Sequence, residues 1–133
     1  MEYITMLGTG SAMVTKCYNT CFTICNNEGE HFLVDAGGGN TILTNLEKAD
    51  ISINTIHNMF ISHNHNDHIL GAVWVIRAVA NSMLNNKYNG IFNIYCHKKS
   101  IDALKNISSL VLQNKFLKLF DDKILWLNTK MCS

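Results

Sequence analysis

Proline is missing from the chain altogether, which is unusual for an ordinary domain. Beside abundant asparagine, lysine and isoleucine, that absence reads as the coding bias of an AT-rich genome and carries no chemistry. Long apolar runs are missing too. The longest, residues 69–80, is interrupted by Arg77 and is too short to cross a bilayer, so no membrane partner is expected. Glu2 and Tyr3 stand where a secretory leader would need a basic start and an apolar run, so a cytoplasmic location is expected. The five cysteines are an odd number with no C-x-x-C pair, which argues against a dense disulfide framework and for reduced thiols. Neither charge sign is in real excess: a net charge of +1 gives no bulk pull towards nucleic acid. RNA stays open as a partner, because a local basic patch or bound metal ions could supply the field. What remains, 47% apolar and 16% charged over 133 residues, describes one globular domain, residues 1–133, able to bury a core.

Against these absences stands one concentration. Ser62-His63-Asn64-His65-Asn66-Asp67-His68 places three imidazoles and a carboxylate in six consecutive positions, directly after the apolar Met59-Phe60-Ile61. Neutral imidazole is the commonest metal ligand at physiological pH, and nitrogen with carboxylate oxygen suits zinc or another divalent transition metal. If the backbone leaves a strand still extended, His63, His65 and Asp67 project to one side, and His68 swings towards them as a helix begins. Four such donors exceed what one open catalytic metal takes from a short loop, so two adjacent ions are expected.

The rest of the chain frames that stretch. Residues 2–7 alternate as a first strand and run into Gly8-Thr9-Gly10-Ser11-Ala12. A dinucleotide fingerprint would need a third glycine where Met13 stands, so the segment is expected to be a tight turn whose glycines supply positive φ. Residues 19–26 and 31–34 read as strands around an Asn26-Asn27-Glu28-Gly29 hairpin turn. Cys17, Cys21 and Cys25, four apart with strand formers between them, read as small buried hydrophobes on one face. Asp35-Ala36-Gly37-Gly38-Gly39 lets the backbone turn sharply or pass close to something, with Asp35 a structural hydrogen-bonder. Asn40 or Thr41 is expected to cap a helix through Ile42, Leu43, Leu46 and Ala49. After a short connection over residues 51–56, residues 57–61 form a fourth strand. The helix over residues 67–85 is apolar nearly all round, which predicts burial between layers. A strand over 91–96, an amphipathic helix over 100–112, a helical turn over 115–120 and a short strand over 124–127 complete a mixed α/β sheet with flanking helices.

The stretch His63-Asn64-His65-Asn66-Asp67-His68 resembles the H-x-H-x-D-H signature of the metallo-β-lactamase superfamily of metal-dependent hydrolases. Three further segments agree: residues 7–12, Asn19-Thr20-Cys21-Phe22, and Leu33-Val34-Asp35-Ala36-Gly37. The Leu7-Gly8-Thr9-Gly10-Ser11-Ala12 start is most similar to the ribonuclease Z branch, the endonucleases that trim transfer RNA 3′ ends, and its phosphodiesterase relatives. The resemblance implies an αββα sandwich of which this chain supplies the N-terminal half. It implies that His63 and His65 bind one metal and that Asp67 and His68 bind a second. Asp67 would also hold, or take a proton from, the water between them, as the catalytic residue. The ions would be zinc first, with manganese or iron as alternatives, lowering the pKa of that water and stabilising negative charge on a phosphoryl or carbonyl oxygen. Asp35 corresponds to the superfamily's structural aspartate near the metals. Asn66 stands where the family usually has a small residue, and Leu70-Gly71-Ala72-Val73-Trp74 where ribonuclease Z proper has a pattern like L-P-G-L.

The family's remaining ligands, a third histidine, a bridging aspartate and a last histidine, come from its second half. After His68 this chain offers only His97, and His31 and His57 precede the loop; all three are expected to be satisfied or exposed histidines. Asp102 is expected to open a helix and Asp121-Asp122 to form a solvated turn. The resemblance therefore implies an incomplete phosphodiesterase, a homo-oligomer or a chain missing its C-terminal half. Two alternatives stand beside it: a hydrolase of a thioester, lactone or β-lactam carbonyl, and a non-catalytic metal-binding or oligomerising fragment. Substrate-binding residues are not assigned.

Overall fold

The computed structural model describes residues 2–10, 18–62 and 66–129. Three strands come first, β1 (Tyr3–Gly8), β2 (Cys21–Cys25) and β3 (His31–Val34), paired antiparallel. The β2–β3 turn closes because the Asn26 side-chain oxygen accepts from the amides of Glu28 and Glu30, and because Gly29 takes φ 80°, which a side chain would resist. From β3 onward the pairing is parallel, through β4 (Ile56–Phe60), β5 (Phe92–Cys96) and β6 (Ile124–Asn128). The strands lie in sequence order, β1 to β6.

Between the parallel strands run α1 (Thr41–Lys48), α2 (Asn66–Leu84), α3 (Lys98–Val111) and the short α4 (Asn114–Leu117). Right-handed crossovers between parallel strands laid down in one direction place their helices on one side of the sheet. There α2 packs between α1 and α3. Leu33, Met59 and Ile94 are aligned across β3, β4 and β5 and fully buried beneath Ile42, Ile76, Val79 and Leu104. Each such aliphatic side chain contributes roughly 1.5–3 kcal/mol on burial, so this seam holds the helices to the sheet. Cys21 and Cys25 lie on the same inner face, buried as expected, while Cys17 is outside the described residues.

Among the described residues, no helix covers the other face of the sheet. The register aligns Met6, Phe22, Val34, Phe60, Tyr95 and Leu127 in one row across all six strands. In the neighbouring row Phe32 stacks on Tyr95 with ring centroids 5.9 Å apart, and the Asn93 amide donates to the Asn58 side-chain oxygen at 3.2 Å. A bulge at His57, between the pairs His31–Ile56 and Phe32–Asn58, lets both Ile56 and Met59 point inward.

Four expectations need correction. The α2 helix is not buried all round: Leu70, Trp74 and Leu84 are 38%, 40% and 42% exposed, because helices pack along its flanks and, among the described residues, none covers its outer stripe. Asn40 occupies the cap position of α1 in helical backbone geometry, and its side chain makes no capping bond. Gly8 does not need positive φ. A Cβ there would overlap the Asn19 carbonyl, so close approach of two chain segments is what requires glycine. Finally, α2 begins at Asn66, so strand alternation cannot carry through to Asp67.

Candidate metal centre

The histidine-rich stretch leaves β4 at the carboxyl edge of the parallel strands, where ligands bind in open α/β sheets. Of the expected ligands, His63 and His65 lie outside the described residues, and Asp67 and His68 fall at the start of α2. The frame around them is well defined.

Asp35 follows β3 on the neighbouring strand. Its amide extends the parallel ladder by donating to the Phe60 carbonyl at 2.8 Å, and its φ of 58° turns its side chain out of strand alternation. The carboxylate, 6% exposed, accepts from the Ser62 amide at 2.8 Å and from the Ser62 hydroxyl at 2.6 Å. Bonds to an ionised acceptor are about twice as strong as neutral ones, so the residue before His63 is held firmly. The same carboxylate and, above all, burial push the Cys21 thiol up to about 12, which keeps that cysteine an unreactive core group.

The far end of the loop is tied to the same segment. The Gly71 amide donates to the Gly37 carbonyl at 2.7 Å. A Cβ on Gly71 would overlap the Ala36 carbonyl oxygen, so the helix backbone and the 36–37 backbone touch directly. Gly37 itself takes φ 74°. The glycine loop is anchored from β2's approach: the Gly38 amide donates to the Asn19 side-chain oxygen at 3.0 Å, and the Tyr18 hydroxyl reaches the Ala36 and Gly39 carbonyls at 2.6 and 2.8 Å. Residues 35–39 thus hold both flanks of the 63–68 stretch.

Sequence reasoning singled out Asp35 but not what it binds. It read Tyr18 only as a strand former and Gly71 only as a departure from a pattern. The available signal was the triple glycine itself, which implied a close backbone neighbour without saying which.

The remaining histidines have local partners. His31 Nδ1 lies 3.3 Å from the Thr23 hydroxyl, and burial lowers its pKa. His57 Nε2 donates to the Asn89 carbonyl at 2.9 Å. His97 caps α3, its Nδ1 accepting from the Lys99 amide at 3.2 Å. Asp102 pairs with Lys98 on the surface of α3, and Asp121 with Lys105. Among the described residues no three of His, Cys, Asp and Glu cluster as a metal site. No helix among them is long and apolar enough to cross a membrane. A cleft of about 410 Å³ between α1 and the segment 50–53 lies at the C-terminal end of α1, remote from the histidine stretch, and has no part in the site.

A sheet in sequential order with helices on one face, and a histidine-rich stretch following β4 at its carboxyl edge, is half of a metallo-β-lactamase fold. The metallo-β-lactamase fold protein YhfI from Bacillus subtilis superposes with a TM-score of 0.69 over 97% of this chain and 47% of that one, at 16% identity. The short form of human tRNase Z does so with a TM-score of 0.66 over 83% of this chain and 39% of that one, at 26% identity. Ribonuclease Z of Methanococcus aeolicus is 36% identical over 104 residues, 78% of this chain and 30% of that protein. The model of the family described as anti-Pycsar protein Apyc1 matches residues 2–118. The chain belongs to that family, a ribonuclease Z-like member of the metallo-β-lactamase superfamily. It spans about a third of the length of the curated relative it matches.

The donor set fits a divalent ion. Three imidazoles and one carboxylate are the nitrogen and oxygen ligands such ions take, and the residues on either side of the stretch bearing them, Ser62 and Gly71, are tied to the 35–37 segment.

Proposed function

We propose that this chain is the ligand-bearing part of a metal-dependent phosphodiesterase. The observation that supports this reading best is the double tether of the H-x-H-x-D-H stretch, Ser62 to Asp35 and Gly71 to Gly37, at the carboxyl edge of the sheet. Such rigid support is what a first ligand shell needs. In this reading His63 and His65 hold one divalent ion and Asp67 and His68 a second, zinc first and manganese or iron otherwise. When bound, such ions acidify water and draw charge from a phosphoryl oxygen. The chain's own contribution is orientation. Asp67 positions the attacking water and takes its proton, while Asp35 keeps the loop's entry fixed through Ser62.

The substrate in this reading is a phosphodiester, either a small molecule or RNA. Activity belongs to the assembled site, completed by a second layer on the open sheet face. That layer is a further segment of the protein or a second copy of this chain. The experiment is a side-by-side assay of the complete protein on a chromogenic phosphodiester, a cyclic nucleotide and a thioester, with zinc and with manganese. Turnover of a phosphodiester that His65→Ala and Asp67→Ala abolish without unfolding the protein is the expected result. Activity retained in either variant, or confined to the thioester, would refute the assignment.

A further inference from the structure

We infer that Tyr18 is a positioning residue for the metal loop, holding through the Ala36 carbonyl the backbone surface against which Gly71 seats the start of α2. This rests on the reading of residues 63–68 as metal ligands. Three contacts meet at the glycine loop. The Tyr18 hydroxyl lies 2.6 Å from the Ala36 carbonyl oxygen and 2.8 Å from that of Gly39, and the Gly39 amide lies 3.2 Å from the hydroxyl oxygen. The Ala36 oxygen is also the atom that a Gly71 side chain would overlap. The Gly71 amide donates to the next carbonyl, that of Gly37, at 2.7 Å. One carbonyl is therefore gripped by a phenol on one side and pressed by a helix backbone on the other.

Its importance comes from spacing. Asp67 and His68 stand four and three residues before Gly71, one helical turn away. Whatever fixes the height and rotation of α2 at Gly71 fixes the backbone that carries those two ligands. The segment 36–39 has no side chain beyond a methyl with which to hold itself, and Gly37 at φ 74° has access to much conformational space. Tyr18 supplies the missing constraint. Its ring fills the position that a Gly37 side chain would take, so glycine and tyrosine are matched. The hydroxyl remains a donor throughout the working pH range, since burial pushes its pKa up to about 12. Groups that hydrogen-bond a ligand itself commonly change metal affinity 10–100-fold; Tyr18 acts through one further contact, so its effect should lie at or below the low end of that range.

The test compares the complete protein with its Tyr18→Phe variant, which keeps the ring and removes the hydroxyl. Zinc chloride is titrated calorimetrically into each metal-free protein. Circular dichroism verifies folding, and amide hydrogen exchange is followed at Gly71. The expected result is a zinc dissociation constant raised severalfold, up to about tenfold, with faster Gly71 exchange and an unchanged circular dichroism spectrum. Equal dissociation constants overturn the role of Tyr18, even if the variant melts earlier, because a merely structural bond would lower stability alone. A wild-type complete protein that takes up no zinc overturns the metal reading and this proposal together. Should Tyr18→Phe not fold, Asn19→Ala, which releases Gly38 from the same loop, is judged by the same criteria.

Discussion

Ser62 and Asp35, 27 residues apart, share two hydrogen bonds: amide to carboxylate at 2.8 Å and hydroxyl to carboxylate at 2.6 Å. The pair joins the end of β4 to the end of β3 just before the histidine stretch begins. Ser62→Ala keeps the amide bond and removes the hydroxyl, and is expected to cost about 1–2 kcal/mol in urea unfolding. Asp35→Asn leaves the size unchanged and, because the Ser62 hydroxyl accepts as well as donates, can keep both contacts, but it removes the charge that strengthens them and should cost more. A smaller loss for Asp35→Asn than for Ser62→Ala would show that the carboxylate is not the organising partner.

Glycine substitutions separate contact from propensity. In an exposed helix, alanine is better than glycine by about 1 kcal/mol. At Gly71 the sign should reverse, since a Cβ there overlaps the Ala36 carbonyl, and a loss of roughly 2 kcal/mol or more is expected. Gly39→Ala is the control, because nothing lies within 4 Å of a Cβ there. It should be near neutral in the same unfolding assay.

Stability should fall on the alkaline side. Burial raises Tyr18 from its ordinary 10.0 to about 12, Cys21 from 9.0 to about 12 and Cys96 from 9.0 to about 11, and it raises Tyr88 as well. For a group whose pKa is higher folded than unfolded, the stabilisation is complete below the unfolded value and disappears as pH climbs through the folded one. The thermal midpoint is therefore expected to hold up to about pH 9 and to drop steadily towards pH 12, followed by circular dichroism. A midpoint that stays level over that window would count against these burial assignments.

The uncovered sheet face should govern association. The row Met6, Phe22, Val34, Phe60, Tyr95 and Leu127 is a contiguous apolar surface of the kind that marks an interface. Light scattering of the isolated chain is expected to report species larger than a monomer, and Phe60→Lys to shift them towards monomer. A wild-type chain that runs as a clean monomer without binding a hydrophobic dye would remove the second layer from the proposal.

Much of the framework was legible because local periodicity decides it. The strand His31–Val34 follows its sequence pattern to the residue, and the other strands differ by one or two positions at most ends. The histidine-rich stretch stands out by composition, and the metal roles read from it remain a proposal. What stayed hidden was long-range. The apolar sequence of α2 does not reveal that its outer stripe is left uncovered among the described residues, so Leu70 and Trp74 looked buried when they are exposed. Asn40 has a capping side chain, yet it sits in helical geometry beside three glycines whose conformation is set by Tyr18 and Asn19, some twenty residues earlier. Gly71 looked like a departure from a pattern because its reason, the Ala36 carbonyl, lies 35 positions away along the chain.

Strand order in the sheet repeats strand order in the chain. No strand has to wait for a distant partner, since each pairs with the one made just before it. During synthesis the β1–β3 meander can close first, and each later strand can add to the growing edge as its helix settles behind it. Pairing between neighbours in sequence keeps the loop-closure cost of each addition low and favours rapid assembly. Among the described strands, β6 is added last.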